Sequence, residues 1–62
     1  MFKMIEVVES SNLSYSDAVK VAIEKLKDRG SKVHFFELIE QRGALRSDKI
    51  EFQVKLKVAV EY

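Results

Sequence analysis

Sixty-two residues suffice for one small domain, and a formal net charge of +1 spread over interspersed acidic and basic residues gives no basic patch for nucleic acid. There is no cysteine and only one histidine, which excludes a disulfide framework and argues against a structural zinc. No apolar run approaches the roughly 20 residues of a membrane span, and the opening MFKMIEVVES is interrupted by Glu6 and Glu9 where a signal peptide needs a continuous apolar segment; the expectation is a soluble, cytoplasmic protein.

Phe2 to Glu9 reads as a strand, with Phe2, Met4, Ile5, Val7 and Val8 apolar and β-prone. A polar connection follows from Ser10 to Leu13. A helix starts at Ser14, whose hydroxyl can accept from the Asp17 amide while Asp17 reaches back, as in a capping box. Tyr15, Ala18, Val19, Ala22, Ile23 and Leu26 recur at i, i+3, i+4 spacing as one apolar stripe. Lys27 and Arg29 suit the last turn, and Gly30 is a natural stop.

A second strand is expected over Lys32–Arg42 and a turn over Gly43–Lys49, with Gly43 free to take a positive φ. The third strand, Ile50–Tyr62, alternates strictly. Ile50, Phe52, Val54, Leu56, Val58, Val60 and Tyr62 share one face, and Glu51, Gln53, Lys55, Lys57, Ala59 and Glu61 share the other. Its apolar face must lie on the helix. Phe36 and Leu38 are its natural partners on the second strand, which sends Val33, Phe35, Glu37, Ile39 and Gln41 to the far side with Gln53. That far side is too apolar to be merely solvated and points to an interface or a ligand. The same follows from size, because a core this small supplies only about 3–5 kcal/mol. With 47% apolar residues to cover, self-association is the expected missing stabiliser. The fold class is α+β, a β-α-β-β chain with a three-stranded antiparallel sheet packed on one helix.

The opening FKMIEVVESS, the helix start SYSDAVKVAIE, the phrase FFELIEQRG and the ending FQVKLKV resemble the dodecins over essentially the whole chain. The combination of EQRG, a turn and FQVKLKV is the most specific part. The resemblance implies a single dodecin-like domain over 1–62, a hollow homododecamer and a flavin, riboflavin or FMN, held between subunits. It implies binding and storage, with no enzymatic turnover. Dodecins typically stack a tryptophan on the flavin ring; that position is Phe35 here, which implies a smaller stacking surface and weaker binding. Gln53 matches the glutamine that bonds the pyrimidine edge, and Arg42 matches an arginine near the flavin. A second arginine of the family falls on Glu61. The alternative is a dodecin-shaped shell without flavin, or one holding another ligand or cation such as calcium or coenzyme A, the latter through Lys3, Lys25 and Arg29.

Other residues give weaker leads. His34 has no evident partner, as a general base would need. The pairs Glu6/Glu9 and Glu37/Glu40, three apart on strands, are expected on opposite faces, which argues against a carboxylate dyad. Arg42 has Glu40 and Glu51 as possible ion-pair partners within the chain.

Overall fold

The computed structural model describes residues 1–61 and places three strands and one helix in the order β1 (Phe2–Ser11), α1 (Tyr15–Asp28), β2 (Val33–Arg46) and β3 (Lys49–Glu61). The strands form one antiparallel sheet in the order β1-β3-β2, so the strictly alternating strand lies at the centre. Tyr62, expected on the covered side of β3, lies outside the described residues.

The helix ends are built as its sequence suggests, with one change. The Ser14 backbone is extended, and its hydroxyl accepts from the Asp17 amide at 2.9 Å. The Asp17 carboxylate does not return to Ser14. Its Oδ2 accepts from the Ser11 hydroxyl at 2.6 Å and so ties the end of β1 to the helix start. At the other end Gly30 takes φ +87°, its amide bonds the Lys27 carbonyl at 2.9 Å, and the Ser31 amide bonds the Leu26 carbonyl at 3.0 Å. This is the Schellman arrangement, in which a left-handed glycine turns two amides back onto orphan carbonyls.

The helix covers one face of the sheet. Ala18, Ala22 and Leu26 meet Val54, Leu56, Val58 and Val60, with Ile5, Val7, Tyr15, Val19, Ile23 and Val33 packed around them. Tyr15 meets Phe52 edge-on at 5.0 Å between ring centroids. Eight apolar residues are buried among the described residues, three of them alanines, while eleven large apolar side chains are exposed. That imbalance agrees with a fold that leaves surface for other chains to cover.

The hairpin between β2 and β3 is tighter and longer than expected. Its turn is Ser47 and Asp48, at φ 48° and 66°, and Arg46 pairs directly with Lys49. Positive φ at both central residues suits a two-residue loop, whose twist matches that of the strands. Gly43 does not provide the turn; it lies within β2 opposite Phe52. β1 likewise runs on to Ser11 rather than ending at Glu9.

Two irregularities in β2 change which residues share a face. The register skips His34 between Val33↔Val60 and Phe35↔Ala59, and skips Ile39 between Leu38↔Leu56 and Glu40↔Lys55. Each extra residue is a bulge that reverses the alternation beyond it. Phe36 and Leu38 therefore stand on the helix side, as expected, although the helix leaves them about half exposed. Val33 lies opposite Val60 and packs on the core, and Gln41 lies opposite Val54; neither points to the far side. Ala59, on the far side between Met4 and Phe35 of its neighbours, is nonetheless fully buried.

Candidate functional site

The face of the sheet away from the helix, here the open face, carries the three residues singled out by sequence. Phe35 lies opposite Ala59, and Arg42 lies opposite Gln53. Phe35 and Arg42 are seven residues apart, an odd spacing that strict alternation would send to opposite faces. The bulge at Ile39 brings Arg42 round to the face of Phe35 and Gln53.

At one end of this face the side chains form a polar chain. Arg42 Nε donates to Gln53 Oε1 at 2.8 Å, and Gln53 Nε2 donates to Glu51 Oε1 at 2.8 Å. The same Glu51 oxygen lies 3.4 Å from Arg46 Nε. Arg42 therefore does not pair with Glu40 or Glu51 but with the amide, and Arg46 takes Glu51. A cavity of about 110 Å³ opens beside this chain, lined by Val8, Glu40, Arg42, Gln53, Val54 and Lys55. A second hollow of about 250 Å³ beside the same chain is lined in part by Arg42, Arg46, Glu51 and Gln53; both lie below the roughly 300 Å³ at which sites for small organic ligands begin.

At the other end the side chains are aromatic. The Phe2 ring meets Phe35 edge to face, with centroids 5.7 Å apart and planes at 86°, and lies 5.4 Å from His34 at a tilt of 34°. The edge contact leaves Phe35 about half exposed. His34, expected to lack a partner, has its Nε2 3.0 Å from Glu61 Oε1, and Lys32 Nζ stands 3.9 Å from the same oxygen.

Charged pairs cross the sheet between the two ends. Lys57 lies between Glu6 and Glu37, and Lys55 lies between Val8 and Glu40. Glu37 and Glu40 thus share the open face, contrary to the spacing argument, because the Ile39 bulge falls between them. Each stands opposite a lysine, so the two do not make a carboxylate dyad. Glu6 and Glu9 do stand on opposite faces, opposite Lys57 and Val54. Among the described residues no group of three or more His, Asp or Glu side chains is placed to hold a metal ion.

Glu9 is a titratable group that the fold perturbs. Lys25 Nζ reaches its Oε2 at 2.7 Å and holds the carboxyl below its ordinary value; partial burial opposes this, and the Ser10 amide, at 3.0 Å from Oε1, adds to the lowering. This pair occupies Lys25, one of the cations considered for a phosphate-bearing ligand.

Sequence reasoning missed Phe2 as a neighbour of Phe35, and it missed the ties of Glu51 to Gln53 and of Glu61 to His34. Period-2 alternation already placed Glu51 and Glu61 on the face of Gln53, but a shared face does not say which side chains meet. Phe2 follows only from the β1–β3 pairing.

The chain as a whole is similar to known proteins. A family model described as Dodecin matches residues 1–62. Among solved structures, a calcium-chelating dodecin of Mycobacterium tuberculosis, an immunodominant antigen with a novel calcium-binding site, is 27% identical with a TM-score of 0.90, covering 100% of this chain and 90% of its own. A dodecin from Streptomyces coelicolor is 25% identical with a TM-score of 0.89, covering 100% and 90%. A tryptophan-to-phenylalanine mutant of the Thermus thermophilus dodecin is 28% identical with a TM-score of 0.86, covering 97% and 91%. No curated protein matches the sequence.

Proposed function

This chain belongs to the dodecin family, and from that premise we propose that it is a binding and storage protein that holds riboflavin or FMN between subunits of a homododecamer. The observation that carries this reading is the placement of Phe35, Arg42 and Gln53 together on the open face, which depends on the bulge at Ile39.

The residues suit the ligand class. An isoalloxazine is flat, largely apolar and edged by adjacent carbonyl and N–H groups. Phe35 offers a ring held edge-on by Phe2 and still about half exposed, as stacking requires. Gln53 offers an amide that can donate and accept at once. Arg42 orients that amide and adds positive charge beside it.

Geometry also supports the need for more than one copy. Phe35 pairs with Ala59 and Arg42 with Gln53, six residues apart on β3, or ~20 Å at the rise of a strand. One chain cannot close both groups on one ring system. A two-fold axis that sets the Phe35 end of one open face near the Gln53 end of another would do so. The same contact would cover apolar side chains that the small core leaves exposed. Flavin bound there would be shielded from solvent and held against aromatic rings, which suits storage and needs no reacting residue.

The test is direct. The visible absorption spectrum of freshly purified protein is recorded, and apoprotein is titrated with riboflavin and with FMN while flavin fluorescence is followed. Saturable quenching supports the reading. Flavin fluorescence that stays unquenched at any protein concentration sinks it and leaves a flavin-free shell. Calcium, which the Mycobacterium tuberculosis relative chelates, finds no acidic cluster among the described residues of a single chain.

A further inference from the structure

We infer that Glu51 is a positioning residue of the binding face: it clamps the amide of Gln53 in one orientation and thereby sets which ligand edge the site accepts. The inference rests on the flavin reading for the identity of the ligand, and on the hydrogen-bond chain alone for the clamp.

Gln53 lies between two groups of opposite and unambiguous character. The guanidinium of Arg42 can only donate, and the carboxylate of Glu51 can only accept. With Arg42 Nε at 2.8 Å from Oε1 and Glu51 Oε1 at 2.8 Å from Nε2, a flipped amide would set N–H against N–H and oxygen against carboxylate. The orientation is therefore dictated by chemistry. Glu51 is itself restrained, since its side chain is about three-quarters buried and Arg46 Nε approaches the same oxygen at 3.4 Å. Both contacts of the amide are charge-assisted, the stronger class of hydrogen bond.

The consequence is selectivity. A primary amide has two N–H groups and two lone pairs on its oxygen. Arg42 and Glu51 each use one, which leaves one donor and one acceptor at fixed places for a ligand. A ligand edge with an N–H beside a carbonyl satisfies both. An edge whose N–H is methylated leaves the second lone pair of the amide oxygen without a donor and adds bulk. Without Glu51 the amide is held at its oxygen alone and can turn to suit other edges. Phe35, at the opposite end of the face, provides contact area but no such directional choice.

The experiment combines two readouts on wild type, Glu51→Ala and Glu51→Gln, each checked for unchanged assembly by light scattering. The first is nuclear relaxation of the Gln53 side-chain amide. The second is titration with riboflavin and with an N3-methylated riboflavin. The wild-type amide is expected to be as ordered as the backbone, and that of Glu51→Ala to be mobile. Riboflavin affinity is expected to fall about tenfold in Glu51→Ala, as loss of one charge-assisted contact in the network implies. Discrimination against the methylated flavin should shrink with it. Glu51→Gln, whose side-chain carbonyl can still accept from Nε2, should stay within about threefold of wild type. If the alanine variant fails to assemble, Glu51→Val, with a residue better suited to a strand, carries the same comparison. A mobile Gln53 amide in wild type overturns the clamp whatever the flavin result. Order and affinity unchanged in Glu51→Ala overturn it as well. An ordered amide with no saturable riboflavin binding overturns the flavin reading, and with it the role of Glu51 in ligand choice.

Discussion

On the covered face of the sheet Val54, Leu56 and Val58 stand at 1%, 0% and 0% exposure beneath the helix. On the open face their immediate neighbours Gln53, Lys55 and Lys57 stand opposite Arg42, Glu40 and Glu37. The same strand builds both, and alternation divides the labour. The covered face is completed inside one chain by packing. The open face sets Lys57 between Glu6 and Glu37 and Lys55 opposite Glu40, and its aromatic Phe35 stays about half exposed. On the proposed function, stability and binding are therefore separable by face, and substitutions on one should leave the other largely intact.

The strongest way to break the comparison is through the covered face. Leu56 is fully buried at the centre of the core. Leu56→Ala should cost about 2–5 kcal/mol, read by urea denaturation at fixed protein concentration. A cost below about 1 kcal/mol would mean that the core is not what holds the fold.

Gln53→Ala attacks the open face. Its effect on stability should stay within about ±0.5 kcal/mol, while riboflavin affinity should fall by about 1–3 kcal/mol, the cost of leaving a ligand's polar group unpaired. Equal titration curves for variant and wild type would remove Gln53 from the site.

Phe35→Trp sharpens the comparison in the other direction. A larger ring at the proposed stacking position should tighten riboflavin by about 0.5–1.5 kcal/mol and deepen quenching. A variant that assembles but binds as wild type does would show that Phe35 does not line the site.

The smallest effect lies at the helix. Folding lowers the Glu9 pKa through Lys25, so the folded chain holds that proton less readily than the unfolded one. The stabilisation is fully present above the unfolded value of about 4.3 and is lost as pH falls through the folded value. With Lys25 largely exposed, the pair is worth no more than about 1 kcal/mol. Urea midpoints recorded through this acid range should fall less steeply for Lys25→Met than for wild type; parallel falls would assign the acid sensitivity elsewhere.

Much of this could be read from the residues alone. The alternation of β3, the stripe from Tyr15 to Leu26 and the caps at Ser14 and Gly30 are local patterns, and each element formed where its pattern placed it. The faces of β2 were legible only from Phe35 to Leu38, between the two bulges. A bulge is a property of pairing, and neither His34 nor Ile39 carries a compositional mark that would reveal one. Hence Gln41 was expected on the open face and Arg42 holds that place instead. The turn was misplaced for a related reason: glycine at position 43 drew the positive φ, whereas Ser47 and Asp48 accept it because the two-residue loop lets both strands pair along their full length. Glu51 was within reach of the alternation rule, but its tie to Gln53 depends on side-chain geometry.

The most direct test of the open face as a flavin site between subunits is sedimentation of protein mixed with riboflavin, followed at the visible absorption band of the flavin. The account predicts that the flavin boundary moves with a species of twelve chains, and that Gln53→Ala leaves this species intact while flavin lags behind. Flavin that stays in the free fraction with assembled wild type, or that travels with a single folded chain, would contradict it.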